Sequence, residues 1–232
     1  MLKIRAFQGL TPAPTVASAV ACVPYDVVNR EEAAALAQEN PLSLLHVDRA
    51  EIDLPEGTDA YAGSVYDQAK ATLDRFVHEG TLLREDAPKI YLYRQRMGGH
   101  VQTGVVAVCH IEDYENDVIR KHEKTRKDKE DDRTRLIGTL SANTGPVFLP
   151  DRGRAEIDAL VALATAGEPT FDFTASDGIQ HTLWRIDDPA PIVQAFGAVP
   201  LAYVADGHHR SASAVRVGRE RRNANPHHTG QE

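Results

Sequence analysis

The chain has 232 residues, with 26 Lys and Arg against 34 Asp and Glu, which gives a formal net charge of −8. Hydrophobic residues make up 42% and charged residues 26%, a composition that excludes collagen-like, coiled-coil, low-complexity and disordered chains. The acidic total argues against DNA as a partner. No run approaches the roughly 20 apolar residues that span a bilayer, so no membrane location is expected.

The first half of the chain predicts two helices. Asn29 and Glu32 form a capping-box pair ahead of an Ala-rich run, which ends before Asn40-Pro41 because proline cannot continue a helix. A second helix is predicted over residues 62–79, with Gly80 as its terminator. Its apolar stripe consists of Val65, Ala69, Leu73, Phe76 and Val77.

Two hairpins are predicted from aromatic and β-branched runs that flank turn dipeptides. Residues 90–97 and 101–109 flank Gly98-Gly99. The second hairpin joins residues 171–174 and 179–186 around Asp177-Gly178. The remaining predicted elements are helices over 119–140, 155–166 and 191–196 and strands over 146–149 and 199–205. Residues 221–232 are polar and indicate a connection. This alternation predicts an α+β protein in which a mixed sheet has flanking helices.

The strongest candidate site is the corner Asp206-Gly207-His208-His209-Arg210, where the last predicted strand runs into a helix. Glycine allows the backbone to approach a ligand closely, and the first amides of a helix attract anions. Arg210 can bind phosphate or carboxylate through two hydrogen bonds. The histidines can donate to phosphate or move a proton, and Asp206 can hold a metal ion. Alternatively, Asp206 caps the helix and the histidines are surface residues.

A second candidate is the basic segment 120–125, which the predicted helix 119–140 continues. A helix places four basic side chains on one face that runs towards Ile137 and Leu140, which should be buried. These side chains are His122, Arg126, Lys129 and Arg133. Such a face can contact nucleotide phosphates, with Glu123 as a general base. The alternative is a solvated helix with pairs such as Glu123–Lys127. A third alternative is a metal site formed by side chains of both the corner and the basic segment.

Other motifs point to no chemistry. The cysteines, Cys22 and Cys109, lie far apart without metal or redox spacing, so a thiol-reduced, cytoplasmic protein is expected. Taken by themselves, Tyr25 is expected to pack in the interior and Asp26 to hydrogen-bond in a turn. The chain has no GxxxxGK[ST], GxGxxG or GxSxG motif.

Five motifs in order along the chain resemble one family. They are Pro24-Tyr25-Asp26-Val27, Glu39-Asn40-Pro41, Lys121-His122-Glu123-Lys124-Thr125, Ala142-Asn143 and Ala205 to Arg210. The set resembles the bacterial and archaeal domain of unknown function 1015 family, over essentially the whole chain. Members of that family are usually longer, so the resemblance implies a shortened form or a fragment. Apolar surface exposed by such shortening would favour a homodimer.

The Asp-Gly-His-His-Arg corner is also similar to the nucleotide-binding corner of the ParB/sulfiredoxin-like superfamily, which includes ParB, sulfiredoxin and a free-serine kinase. The resemblance implies a ParB/sulfiredoxin-like part over 116–232 with an N-terminal α+β extension over 1–115 that carries the hairpin 90–109. One composite domain is the alternative. Sulfiredoxin chemistry is not expected, because it needs a cysteine at the corner.

Similarity to the serine kinases also implies roles for residues in both segments. The implied catalytic residues are Glu123 as base, Asp206 for positioning the hydroxyl or the metal, and His208. The implied cofactor-binding residues are His122, Arg126, Gly207, His209 and Arg210. Asp206 is the implied metal ligand, and the implied cofactor is ATP or ADP with Mg²⁺.

The resulting hypothesis is a nucleotide-dependent phosphotransferase that acts on a small hydroxylated molecule, such as an amino acid. Phosphoryl transfer requires positioning and charge neutralisation, which basic side chains, a helix start and a carboxylate provide. Two alternatives use the same residues: a phosphate-ester hydrolase and a non-enzymatic nucleotide-binding module.

Overall fold

The structure is a computed structural model that describes residues 1–229, and it has the predicted α+β class. The strands are β1 (Ile4–Arg5), β2 (Leu10–Pro12), β3 (Leu82–Arg84), β4 (Ile90–Met97), β5 (His100–Val106), β6 (Val108–Cys109), β7 (Ile119–Arg120), β8 (Phe171–Thr174), β9 (Gln180–Ile186) and β10 (Ala202–Tyr203). The α-helices are α1 (Ala17–Val20), α2 (Arg30–Ala37), α3 (Leu45–Asp48), α4 (Gly63–His78), α5 (Ile111–Glu115), α6 (Lys127–Leu140), α7 (Ala155–Ala164), α8 (Ala190–Phe196) and α9 (His208–Ala224). Single 3-10 turns cover Pro14–Val16 and Ala50–Asp53.

The described residues group into two units, each assembled from three separate segments. Unit 1 consists of residues 1–21, 79–118 and 151–202, and unit 2 consists of residues 22–78, 119–150 and 203 onwards. The segments alternate along the chain. The division at residue 115, inferred from the resemblance, stays a prediction about domain organisation.

Unit 1 is built on an antiparallel sheet with strand order β5-β4-β9-β8. Both predicted hairpins are confirmed. Met97 pairs with His100 across the Gly98-Gly99 turn, and Gly98 has the positive φ of 57° that this turn requires. The return strand β5 ends at Val106, and β6 pairs instead with β1. The interior of the sheet buries Ile90, Leu92 and Trp184.

Unit 2 is mainly helical, and its first two longer helices follow the sequence predictions. Asn29 and Glu32 form the reciprocal capping box at the start of α2. Helix α4 buries the predicted stripe with one exception, because the side chain of Val77 is exposed. Gly80 adopts a positive φ of 75° immediately after this helix, as expected of a helix terminator.

The predicted helix over 119–140 is wrong in its first third. Residues 119–120 form strand β7, residues 121–126 form a loop, and α6 begins only at Lys127. The backbone of Arg120 accepts a hydrogen bond from Val204 at 2.8 Å, which holds this segment extended. Tertiary pairing has therefore overridden helix propensity, which is a weak preference. Leu140 is buried as predicted, whereas Ile137 is only half-buried.

The two predicted strands that flank the corner are shorter than expected. Residues 146–149 contribute one isolated bridge, between Phe148 and Asp206, and regular strand geometry in 199–205 is limited to β10. Residues 221–224 continue helix α9 and are not a connection, whereas residues 225–229 are outside any helix or strand as predicted. Residues 230–232 lie outside the described residues. Within residues 1–229, no helix is long and apolar enough to cross a membrane.

Candidate functional site

Two neighbouring strands bring the predicted site segments together. Strands β7 and β10 pair. The amide of Ala202 donates to Val118 at 2.9 Å, and two residues later Val204 donates to Arg120 at 2.8 Å. Because the bonds advance in the same direction along both strands, the pair is parallel. The carboxyl ends of parallel strands lie at the same edge, so the loop after β7 and the corner after β10 emerge side by side.

Gly207 forms the corner itself. It has a φ of 85° and is the N-terminal cap residue of α9, and no side chain caps this helix. A β-carbon at residue 207 would lie 3.3 Å from the Cα of Val147, so a side chain there would also be tightly packed against the backbone. Asp206 therefore does not act as the cap that the sequence allowed. The first three amides of α9 have no intrahelical acceptor, which makes this end a suitable place for an anion.

Glu123 and His122 lie against His208, the first residue of α9. Glu123 Oε2 is 3.4 Å from His208 Nδ1, and the rings of His122 and His208 meet edge to face with centroids 4.5 Å apart. His208 is only 8% exposed, whereas the Glu123 side chain is 63% exposed. His208 Nε2 is buried with no hydrogen-bond partner in the part of the chain described. The cluster thus joins an accessible carboxylate to a buried imidazole at the start of a helix.

The Arg210 guanidinium is held in the corner from several sides. Its Nη1 donates to the Pro146 carbonyl at 2.6 Å. Carboxylate oxygens of Asp26 and Asp206 lie 3.5 Å and 3.6 Å from its terminal nitrogens. Its central carbon is 5.8 Å from the centre of the Tyr25 ring. Both carboxylate distances exceed the 2.7–2.9 Å that is typical of charge-assisted hydrogen bonds. Arg210 is therefore oriented by these contacts but can still donate stronger hydrogen bonds to a ligand.

A buried charged cluster of Arg133, Asp132 and Asp48 lies next to the corner. The Arg133 guanidinium stacks over the Tyr25 ring at 4.0 Å and contacts Asp132 at 2.7 Å. Arg133 also lies 3.9 Å from Asp48, which accepts a hydrogen bond from the Thr144 hydroxyl. Burial raises the pKa of the Asp48 carboxyl, although the Thr144 hydrogen bond and the Arg133 charge act in the opposite direction. This cluster anchors the loop whose Pro146 and Val147 contact the corner.

Not every residue of the predicted basic face lies at the corner. Arg126 precedes α6, and its guanidinium pairs with Asp128 at 2.7 Å on the surface. Arg133, predicted to face a polyanion, is buried in ion pairs with Asp132 and Asp48. His122 lies in the loop, so the predicted four-residue helical face is wrong. His209 is half-buried, and its Nδ1 has no hydrogen-bond partner among the described residues.

Sequence reasoning missed the contribution of four residues to this site. Tyr25 is buried as expected. Asp26 lies in a turn, where the Val27 amide donates to the Pro24 carbonyl at 3.3 Å, but its carboxylate also contacts Arg210. Asp48 and Thr144 were not singled out at all. The motifs Pro24-Tyr25-Asp26 and Ala142-Asn143 adjoin or include three of these residues and could have indicated them, whereas Asp48 had no local signal.

Metal and cysteine chemistry have few candidates in residues 1–229. No group of three or more His, Cys, Asp or Glu side chains is arranged to hold a metal ion there. Mg²⁺ commonly takes only one or two carboxylates and completes its shell with phosphate oxygens and water, and the exposed Asp206 fits that role.

Burial raises the pKa of Cys22 to about 12 and of Cys109 to about 11, which keeps both as unreactive thiols.

The comparisons with known proteins identify one family. The family described as "Protein of unknown function (DUF1015)" matches residues 4–232, which is nearly the entire chain. Neither the curated proteins nor the solved structures gave a match. The more distant relation to ParB, sulfiredoxin and the serine kinases stays a prediction.

Proposed function

This chain belongs to the DUF1015 family of proteins of unknown function, and we propose that it binds a nucleotide at the Gly207 corner and transfers a phosphoryl group to a small hydroxylated molecule. The observation that carries the proposal is the 3.4 Å contact between Glu123 and His208. It joins a candidate base to the start of α9, where the amides favour phosphate. Two segments far apart in the sequence thus supply complementary parts of one site.

The corner supplies the phosphate contacts. The amides of His208, His209 and Arg210 have no intrahelical acceptor and can donate to phosphate oxygens. The Arg210 guanidinium can give a bidentate contact once its longer interactions with Asp26 and Asp206 are exchanged for phosphate. His208 is buried with an unpartnered Nε2, which can donate to a phosphate oxygen when the ring carries a proton on that nitrogen.

Glu123 is proposed as the general base. In this proposal its carboxylate accepts the proton of the substrate hydroxyl as that oxygen forms a bond to the terminal phosphorus. The bond from that phosphorus to the bridging oxygen breaks, and the shortened nucleotide leaves with the electron pair. The His208 and His122 rings hold the Glu123 carboxylate in place through contacts at 3.4 Å and 3.7 Å.

Asp206 would hold Mg²⁺ together with phosphate oxygens. When bound, the ion would neutralise charge on the nucleotide phosphates and orient them. Asp206 is exposed and lies 3.6 Å from Arg210, so a carboxylate and a guanidinium flank the same space. A phosphate bound in that space would offset the charge of the guanidinium, and a magnesium ion held there would offset the charge of the carboxylate.

Calorimetry with the full chain tests nucleotide binding first. We expect ADP or ATP with Mg²⁺ to bind, and Arg210→Ala to weaken binding by about 10- to 100-fold, because hydrogen bonds between charged groups contribute roughly 1.5–3 kcal/mol. Absence of binding by the unaltered protein would end the proposal.

A panel of hydroxylated metabolites then tests transfer. We expect Glu123→Gln to abolish turnover while nucleotide affinity stays nearly unchanged, because the amide keeps the shape but cannot accept the proton. Glu56→Gln, at an exposed position of unit 2, is the matched control. Release of inorganic phosphate without a phosphorylated product would indicate a hydrolase. Tight binding without any turnover would indicate a nucleotide-binding module.

A further inference from the structure

An exposed aromatic surface lies beside the corner. Along β10 and its continuation, Ala202 and Val204 are completely buried, whereas Tyr203 is 36% exposed and Ala205 is exposed. This alternation of burial defines an outward face. Phe148, on the neighbouring segment, is 45% exposed. Phe148 and Tyr203 therefore present two exposed aromatic side chains on neighbouring segments next to the corner.

A β-bulge sets the position of Phe148. The amide of Ala205 donates to Phe148 at 3.0 Å, and the amide of Phe148 donates to Asp206 at 3.1 Å. Two residues of one strand therefore oppose a single residue of the other, which is the pattern of a bulge. Bulges redirect side chains and occur preferentially next to functional sites. Here the bulge places the exposed Phe148 opposite the first residue of the corner.

The backbone around Phe148 is in direct contact with the proposed phosphate site. Val147, its immediate neighbour, packs so closely that a β-carbon on Gly207 would lie 3.3 Å from the Val147 Cα. Pro146, two residues earlier, accepts the hydrogen bond from Arg210. The Phe148 ring thus projects from the segment that shapes the corner, and the backbone of Phe148 is bridged directly to that of Asp206.

We propose that Phe148 is the stacking surface for the base of the bound nucleotide, while the corner binds the phosphates. This assignment rests on the proposed function, and it adds that the ligand carries an aromatic base. An exposed phenyl ring offers a base a flat apolar face, and stacking tolerates any base because each has a π-face. Ala205, on the outward face of the neighbouring strand, is exposed and carries only a methyl group.

Two probes separate base recognition from phosphate recognition. ADP has a base and a diphosphate, whereas inorganic pyrophosphate has only the diphosphate; both are titrated with Mg²⁺ into the full chain. We expect Phe148→Ala to weaken ADP by about 5- to 100-fold and to leave pyrophosphate unchanged, with Phe148→Tyr restoring ADP affinity. Leu36→Ala, at an exposed apolar position on helix α2, is the control and should change neither.

The outcomes distinguish this inference from the function on which it rests. If the unaltered protein binds neither probe, both proposals fail. If Arg210→Ala loses both probes while Phe148→Ala still binds ADP normally, the phosphate site stands and stacking is wrong. Equal losses of both probes in Phe148→Ala would show a disturbed corner and would also overturn stacking.

A Phe148→Trp variant provides a second measurement that does not depend on the alanine variant folding. Its additional indole emission should be quenched by ADP and unaffected by pyrophosphate, over the background of Trp184, the one natural tryptophan. No change of emission on saturation with ADP would refute the assignment.

Discussion

Replacing Gly207 by alanine should destabilise unit 2 for two reasons, the strained backbone conformation at residue 207 and the contact of the new side chain with Val147. A φ of 85° costs an L-residue roughly 1–2 kcal/mol. In addition, the new β-carbon would lie 3.3 Å from Val147 Cα and 3.4 Å from its Cγ2. The nearer atom belongs to the backbone, so the loop itself must move, and overpacking of this kind typically costs a further 1–3 kcal/mol or so.

Gly57→Ala is the matched control for this substitution. Gly57 belongs to the same unit and has a φ of 81°, but no atom lies within 4 Å of its added β-carbon. It therefore shares the backbone strain and lacks the contact. Urea unfolding followed by circular dichroism should give a loss of about 1–2 kcal/mol for Gly57→Ala and a loss larger by about 1–3 kcal/mol for Gly207→Ala. Equal losses for the two variants would refute the close packing of Gly207 against Val147.

Two further predictions concern the surroundings of the corner. In Gly145→Ala the new β-carbon lies 3.3 Å from the flexible Arg210 side chain, so pyrophosphate affinity should fall several-fold while the unfolding free energy changes by under about 0.5 kcal/mol; an unchanged affinity in calorimetry would argue against a role for the Arg210 position. For Asp48, burial raises the folded-state pKa above the unfolded value, so the charged form costs stability at neutral pH and protonation relieves that cost as pH falls. Asp48→Asn resembles the protonated form and does not titrate. The difference in unfolding free energy between this variant and the unaltered protein should therefore favour the variant most near neutrality and should decline towards about pH 4. A difference that does not change with pH in urea unfolding would contradict the raised pKa.

Elements defined by neighbouring residues could be predicted from the sequence. The Asn29 and Glu32 capping box and the turns at Gly98-Gly99 and Asp177-Gly178 all depend on contacts within a few residues. The start of α6 did not follow local signals. Strand β7 forms because β10, far along the chain, pairs with it. The helix or strand propensity of residues 119–126 carries no information about that distant partner.

Some residues of the candidate site could likewise be predicted from the sequence and others could not. The corner at residues 206–210 was predicted because glycine before a helix start is a local pattern. The resemblance implied roles for Glu123 and His208 in one site, and the structure places the two side chains 3.4 Å apart. Asp48 carried no signal, since a single aspartate in sequence does not reveal that it will be buried beside Arg133. The predicted position of Arg133 on a ligand-facing surface was wrong for the same reason. Whether a charge faces solvent or the interior depends on packing between helices.

The alternation of segments between the two units has a consequence for biosynthesis. The last segment of unit 2 begins at residue 203, and helix α9 supplies one side of the corner. Neither unit can therefore complete its core while the ribosome is still translating the middle of the message, because each still lacks the last of its three segments. Expression should accordingly depend more on chaperone supply than it would for domains arranged one after the other.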